Sequence, residues 1–255
     1  MDAFSVFNNP HKFMAASKPF AWGFTLLGVA IVAWGIYQGL YVVPPDFRQG
    51  DAAKIMFVHV PSSWLTLFIY LFMAGASFIS FVWRSPLADI CAKSCAPIGA
   101  VFTALCLFTG SVWGKPMWGT WWEWSDPRIV SVVILFFFYL GYMAIWQAME
   151  TPQKASRGAA ILCLVGAINL PVIHYSVEWW NSLHQTTTFL TDKQVTTDEY
   201  KWPMYITFLL GYLALFGGLT LFNMRAEVNL RRAEMLIQRR QAAEPQFREQ
   251  SRFAV

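Results

Sequence analysis

The chain has 255 residues, of which 56% are hydrophobic, 17% aromatic and only 13% charged, with a formal net charge of +4. A soluble domain carries about 25% charged residues, so this chain has too little polar surface to cover a soluble globule of its size. The alternative is that the apolar excess collects into runs of about 20 residues, the length of helix that crosses roughly 30 Å of hydrocarbon.

It does so six times. The first 18 residues are polar and do not read as a cleaved signal, because the first apolar run is itself long enough to span. Stretches free of Asp, Glu, Lys and Arg then follow at 19–43, 62–83, 95–114, 129–149, 158–177 and 202–224. A backbone in lipid must satisfy its own N–H and C=O groups, so each stretch predicts a helix. The predicted fold is all-α: one six-span membrane domain over residues 1–224, with a Trp-rich loop at 113–128, followed by a basic tail over 225–255.

Six spans put both termini on one side, and the basic residues choose it. Lys12, Lys18, Arg84, Lys93, Lys154, Arg157 and seven Arg of the tail share the termini's side. The opposite loops carry Arg48, Lys54, Lys115, Arg128, Lys193 and Lys201. The positive-inside rule then predicts cytoplasmic termini and an external Trp-rich loop. For the tail two readings stand: a solvated anchor that fixes topology, or a basic amphipathic helix lying on anionic membrane lipids, with apolar Val228, Leu230, Met235, Leu236 and Ile237. No nucleic-acid partner is expected. Cys91, Cys95, Cys106 and Cys163 fall on the cytoplasmic loop or within spans, where an external disulfide is not expected, and read as packing residues.

In chain order, the chemically unusual residues gather on the external side. His59 precedes the second span and His184 follows the fifth. Each is open to a structural reading or to a role as an iron ligand, since two neutral imidazoles on opposite faces of a porphyrin give a six-coordinate haem. His174 lies inside the fifth span beside Pro171 and reads as a neutral, hydrogen-bonded core histidine, with ligation as the lesser alternative. His11 is an ordinary residue of the N-terminal tail.

Between the third and fourth spans, five Trp (113, 118, 121, 122 and 124) fall within twelve residues. An interfacial aromatic belt is one explanation, although a belt needs only a ring or two per span end. If the segment is helical, Trp118, Trp121 and Trp122 share a face and form an apolar shelf. Such a shelf suits a flat amphiphile such as haem, with Lys115 and Arg128 placed to meet its carboxylates.

These residues also carry a family resemblance. Trp118-Gly119-Thr120-Trp121-Trp122-x-Trp124, followed by Asp126 and Arg128, resembles the signature of the tryptophan-rich haem-handling proteins of cytochrome c maturation. Phe57-Val58-His59-Val60-Pro61-Ser62, Gly110-Ser111-x-Trp113-Gly114-Lys115-Pro116-Met117-Trp118 and Asn169-Leu170-Pro171-x-Ile173-His174-Tyr175 through Leu183-His184-Gln185 resemble one branch, the CcmC (haem exporter protein C) family.

The resemblance implies a bacterial inner-membrane protein that binds haem b at the periplasmic face and delivers it to the haem chaperone CcmE during c-type cytochrome biogenesis. It acts beside the CcmA, CcmB and CcmD subunits of the CcmABCD complex. His59 and His184 would be axial ligands, with Trp118, Trp121, Trp122, Trp124, Asp126, Arg128 and Lys115 about the ring. Delivery with a chaperone is not conventional enzymology, so no catalytic residue is expected. One departure is that Ser125 separates Trp124 from Asp126, which moves Asp126 and Arg128 about one residue from the family register. Readings from other classes are a bis-His membrane cytochrome in electron transfer and a permease subunit of a transporter.

Overall fold

Six helical spans run Pro10–Val42, Asp51–Trp83, Pro86–Trp118, Pro127–Ala148, Pro152–Trp179 and Asp198–Ala242. This computed structural model describes the backbone of residues 10–184 and 198–252 and the side chains as far as 242, so Gln185 and Lys193 lie outside the described residues. Each span covers one of the six uncharged stretches to within a residue, and most run further. The second, for example, opens with Asp51 and Lys54, paired with each other at 2.8 Å. An absence of charge marks the part of a helix that sits in hydrocarbon. The backbone ladder continues past it to wherever a cap stops it.

The spans are built from eight helices. α1 (Pro10–Tyr37) ends in a π turn, and a 3-10 turn (Asp51–Ile55) leads into α2 (Met56–Trp83). α3 (Pro86–Trp118) and α4 (Pro127–Ala148) follow. The fifth span is broken into α5 (Pro152–Gly166) and α6 (Asn169–Trp179), and the sixth comprises α7 (Asp198–Ile206), a π turn and α8 (Leu213–Arg252). Among the described residues no strand occurs beyond an isolated bridge between Asp46 and Gly50.

The link from α2 to α3 shows how short the connections are. Arg84 takes a left-handed conformation (φ 52°), the Ser85 hydroxyl accepts the Ala88 N–H at 3.4 Å, and Pro86 occupies the first helical position. The core is centred on α2, where Leu65, Ile69, Tyr70 and Met73 pack against Cys95 of α3, Tyr139 of α4 and Cys163 of α5. The Tyr139 hydroxyl donates to the Thr66 carbonyl at 3.0 Å, so this buried polar group is satisfied within the bundle. All four thiols are free, and Cys95, Cys106 and Cys163 are buried, as packing residues should be.

α1 lies at the periphery and exposes Leu26, Leu27 and Val29. It packs on α8 almost backbone to backbone. A Cβ on Gly28 would stand 2.5 Å from the Leu215 nitrogen, and one on Gly218 would stand 2.6 Å from the Thr25 nitrogen. In lipid, where apolar side chains gain little by leaving their surroundings, such close approach supplies the helix–helix attraction.

Pro171 explains the break in the fifth span. Its missing N–H would leave the Ala167 carbonyl bare, and that carbonyl instead accepts the Leu170 N–H at 3.1 Å. The Asn169 side chain donates to the Ser131 carbonyl at 2.8 Å and ties the break to α4.

At the end of the bundle shared by Pro10 and the last helix, Phe13, Leu87, Ile90, Met224 and Val228 form a separate apolar cluster. The basic stretch from residue 225 continues α8 without a break. Arg231 pairs with Asp89 at 3.0 Å and with Glu227 at 2.8 Å, and Lys93 also holds Glu227 at 2.8 Å. Lys93 and Arg231 both lie over the Trp146 ring.

Candidate functional site

At the opposite end of the bundle a cavity of about 260 Å³ opens between α2, α3, α4 and α6. His59, His184, Trp118, Trp121, Trp122 and Arg128 all line it. Their distances in sequence are large, and three local devices bring them together.

The first is the end of α3. Gly119, in a left-handed conformation (φ 78°) that favours glycine, stops the helix directly after Trp118, and its N–H reaches the Lys115 carbonyl. The segment 119–126 is therefore a loop, which corrects the conditional expectation of a helical shelf. Trp118, Trp121 and Trp122 do meet at one cavity, but by folding back. Trp118 lies against Gly114, and the Thr120 hydroxyl donates to the Trp122 carbonyl at 3.0 Å while accepting the Trp122 N–H at 3.4 Å. Trp124 packs edge-on against Trp122 but is exposed and away from the cavity. Lys115 is also away from it; its Nζ donates to the Gly119 carbonyl at 3.0 Å and closes the turn.

The second is the start of α4. Asp126 caps this helix, accepting the N–H groups of Arg128 and Ile129 at 3.0 Å each, with Pro127 at the first helical position. The same carboxylate reaches the segment after α6. It accepts from the Ser182 hydroxyl at 2.7 Å and from the Leu183 N–H at 2.8 Å, and it lies 3.2 Å from His184 Nδ1. Burial alone would push this carboxyl up. The hydrogen bonds from His184, Ile129 and Ser182 outweigh that and hold it well below the usual carboxylate range. Asp126 is buried and lines no part of the cavity.

The third is the face of α3 opposite His59. The Thr109 hydroxyl gives its proton to the Leu105 carbonyl at 2.7 Å, so its oxygen is an acceptor for His59 Nδ1 at 3.0 Å. Nδ1 then carries the proton of His59, and Nε2 keeps its lone pair. The same reasoning applies to His184, whose Nδ1 faces a carboxylate. Both imidazoles thus have Nδ1 engaged, which leaves Nε2 as the nitrogen available to a metal.

Aromatic rings hold both histidines in place. Trp118 meets the His184 ring edge-on at 4.8 Å, and Trp113 meets His59 at 5.6 Å while its indole N–H donates to Gln49 at 3.1 Å. Arg128 is tied to α6 through Ser176 Oγ at 3.4 Å and the His174 carbonyl at 3.3 Å.

His174 departs from the sequence expectation. It is exposed, lines the cavity and lies 4.7 Å from the Tyr175 ring, instead of being bonded in the core. The expected partner, a carbonyl freed by Pro171, is taken by Leu170. Sequence reasoning missed Thr109, Gly110, Gln49 and Ser182. Of these only Ser182, two residues before His184, carried a local signal.

A family model described as "Heme exporter protein C" matches residues 3–239. The chain is 46% identical to the heme exporter protein C of Bradyrhizobium diazoefficiens, over 94% of this chain and 90% of that protein. It is 43% identical to that of Escherichia coli K12, over 78% of this chain and 80% of the relative. With that of Paracoccus denitrificans it shares 40% identity, over 92% and 97%.

Proposed function

The chain belongs to the heme exporter protein C family, and from that premise we propose that its cavity receives haem b at the periplasmic face of the inner membrane for delivery to the chaperone CcmE. The observation that carries this reading is the pair His59 and His184, each engaged at Nδ1 and both lining one Trp-walled cavity.

The donor set fits. Among the described residues no group of three or more His, Cys, Asp and Glu could hold a bare ion. A porphyrin brings four nitrogens of its own and asks the protein for only two, which His59 and His184 supply. The Trp122 indole N–H is buried without a partner among the described residues, a donor that a carboxylate of the ligand would satisfy. Arg128 on the same wall supplies positive charge for a propionate.

In this reading Trp118, Trp121 and Trp122 receive the apolar ring, His59 and His184 orient the iron, and the exposed side of Trp121 leaves one edge within a partner's reach. The placement of basic residues supports cytoplasmic termini and a periplasmic cavity. CcmA, CcmB and CcmD are the companion subunits. The test is the visible spectrum of the purified protein: H59A and H184A should each abolish the six-coordinate low-spin signature, and mixing with the chaperone should transfer the pigment. A double variant that keeps the wild-type spectrum would refute the ligand assignment. Turnover with quinols would favour an electron-transfer cytochrome instead.

A further inference from the structure

Resting on the reading that His184 ligates iron, we propose that Asp126 is its positioning residue, and that the two imidazoles are unequal donors, His59 being the one that yields its place to an incoming ligand.

The argument starts from what stands behind each ring. His59 leans on a neutral oxygen, the Thr109 hydroxyl. His184 leans on a carboxylate. That carboxylate is held by four further donors: the N–H groups of Arg128 and Ile129 on Oδ1, and the Ser182 hydroxyl and Leu183 N–H on Oδ2. The Ser182 oxygen also accepts the His184 backbone N–H at 3.0 Å. The clamp therefore fixes the backbone, the ring nitrogen and the tautomer of His184 together. It is anchored on the first turn of α4, a rigid element, although His184 itself lies in irregular chain.

A hydrogen bond to an ionised acceptor is roughly twice as strong as one between neutral groups. A carboxylate behind a ligating imidazole fixes its orientation and raises its basicity. His184 is thereby the stronger donor to iron and His59 the weaker. The place of Asp126 also accounts for its distance from the cavity: it acts on the ligand through His184 and does not touch the ring.

The test uses the purified full-length protein loaded with haem b. D126N keeps a good helix cap and an amide oxygen for His184, but besides the charge it replaces the acceptor of the Ser182 hydroxyl and the Leu183 N–H by an amide NH2. It should weaken haem binding by about 10- to 100-fold, and the reduction potential should rise, because a less basic ligand stabilises ferric iron less. Photolysis of the reduced carbon monoxide adduct leaves the retained imidazole on iron, and its iron–nitrogen stretch should fall with D126N and stay put with T109V.

D126N with unchanged affinity and potential overturns the positioning role. An iron–nitrogen stretch that falls with T109V, or stays put with D126N, overturns the order of the two donors. If D126N does not fold, S182A replaces it and should weaken haem binding by a smaller step, because it loosens the clamp on His184; no change there overturns the positioning role as well. H184A run in parallel separates the premises. An unaltered spectrum in H184A refutes the ligand assignment itself, whereas an altered H184A spectrum beside a wild-type-like D126N refutes only this inference.

Discussion

Gly110 leaves open the space that the His59 ring occupies: a Cβ built there would stand 3.0 Å from His59 Cε1. Contacts that short require the ring to shift by a few tenths of an ångström, which disturbs its 3.0 Å approach to the Thr109 oxygen on the same helix. G110A is expected to cost about 1 kcal/mol of haem binding, the scale of a side chain pushed off its rotamer, which is roughly a fivefold loss of affinity. G110L should cost more. Titration of the apo protein with hemin, followed in the Soret band, measures both.

Thr109 itself gives a sharper contrast. T109V is nearly isosteric but removes the hydroxyl acceptor of His59 Nδ1 and leaves it the Cys106 backbone, at about 0.5–1.5 kcal/mol. T109S keeps the oxygen and should stay near wild type. The readout is hemin affinity together with the low-spin fraction. Equal behaviour of the two variants would show that the hydroxyl plays no part.

The Trp residues are expected to divide into two classes. Trp118 lies on the cavity wall and against His184, whereas Trp124 is exposed and off the cavity. Loss of an aromatic pair is worth about 0.5–1.5 kcal/mol beyond the buried area. W118A should therefore weaken hemin binding by at least about tenfold, counting both terms, and W124A by less than about twofold. Should W124A prove the more damaging in hemin titration, Trp124 would serve the ligand after all. Damage confined to chaperone transfer would place it on the docking side.

At the other end of the bundle, R231A removes the ion-pair partner of Asp89 and one of the two partners of Glu227, which keeps Lys93. Breaking a buried pair costs about 3–5 kcal/mol, and here about 2–3, because Arg231 keeps some exposure. The expected sign is faster amide exchange over residues 225–240 with no change in the haem spectrum. Exchange as slow as in wild type would mean that the apolar cluster about Val228 holds the helix unaided.

The six spans were legible because lipid forbids charge over a defined length, and that rule acts on each segment without regard to its neighbours. Helix limits were less so, since Ser85 and Asp126 start helices by hydrogen bonds that composition does not show. His59 and His184 were singled out by topology and by resemblance to a known family. Their supports were not: Thr109 faces His59 across 50 residues of chain, a pairing set by the rotation of α3 about its axis. The spacing of Trp118, Trp121 and Trp122 gives a shared face only on a helix, and Gly119 follows the helical run at the position where a left-handed cap ends a helix. For His174 the sequence suggests a carbonyl freed by Pro171 as partner, but the chain re-pairs that carbonyl locally with the Leu170 N–H.

Because Asp126 both starts the fourth span and clamps the segment after the fifth, the order of synthesis matters to the cavity. A nascent chain inserted through four spans has His59, the Trp loop and a free cap carboxylate, but no second imidazole. Only when the fifth span has crossed and residues 182–184 have reached Asp126 does the pair exist. On the proposed reading, competence to bind haem is then acquired only with the fifth span, late in biosynthesis.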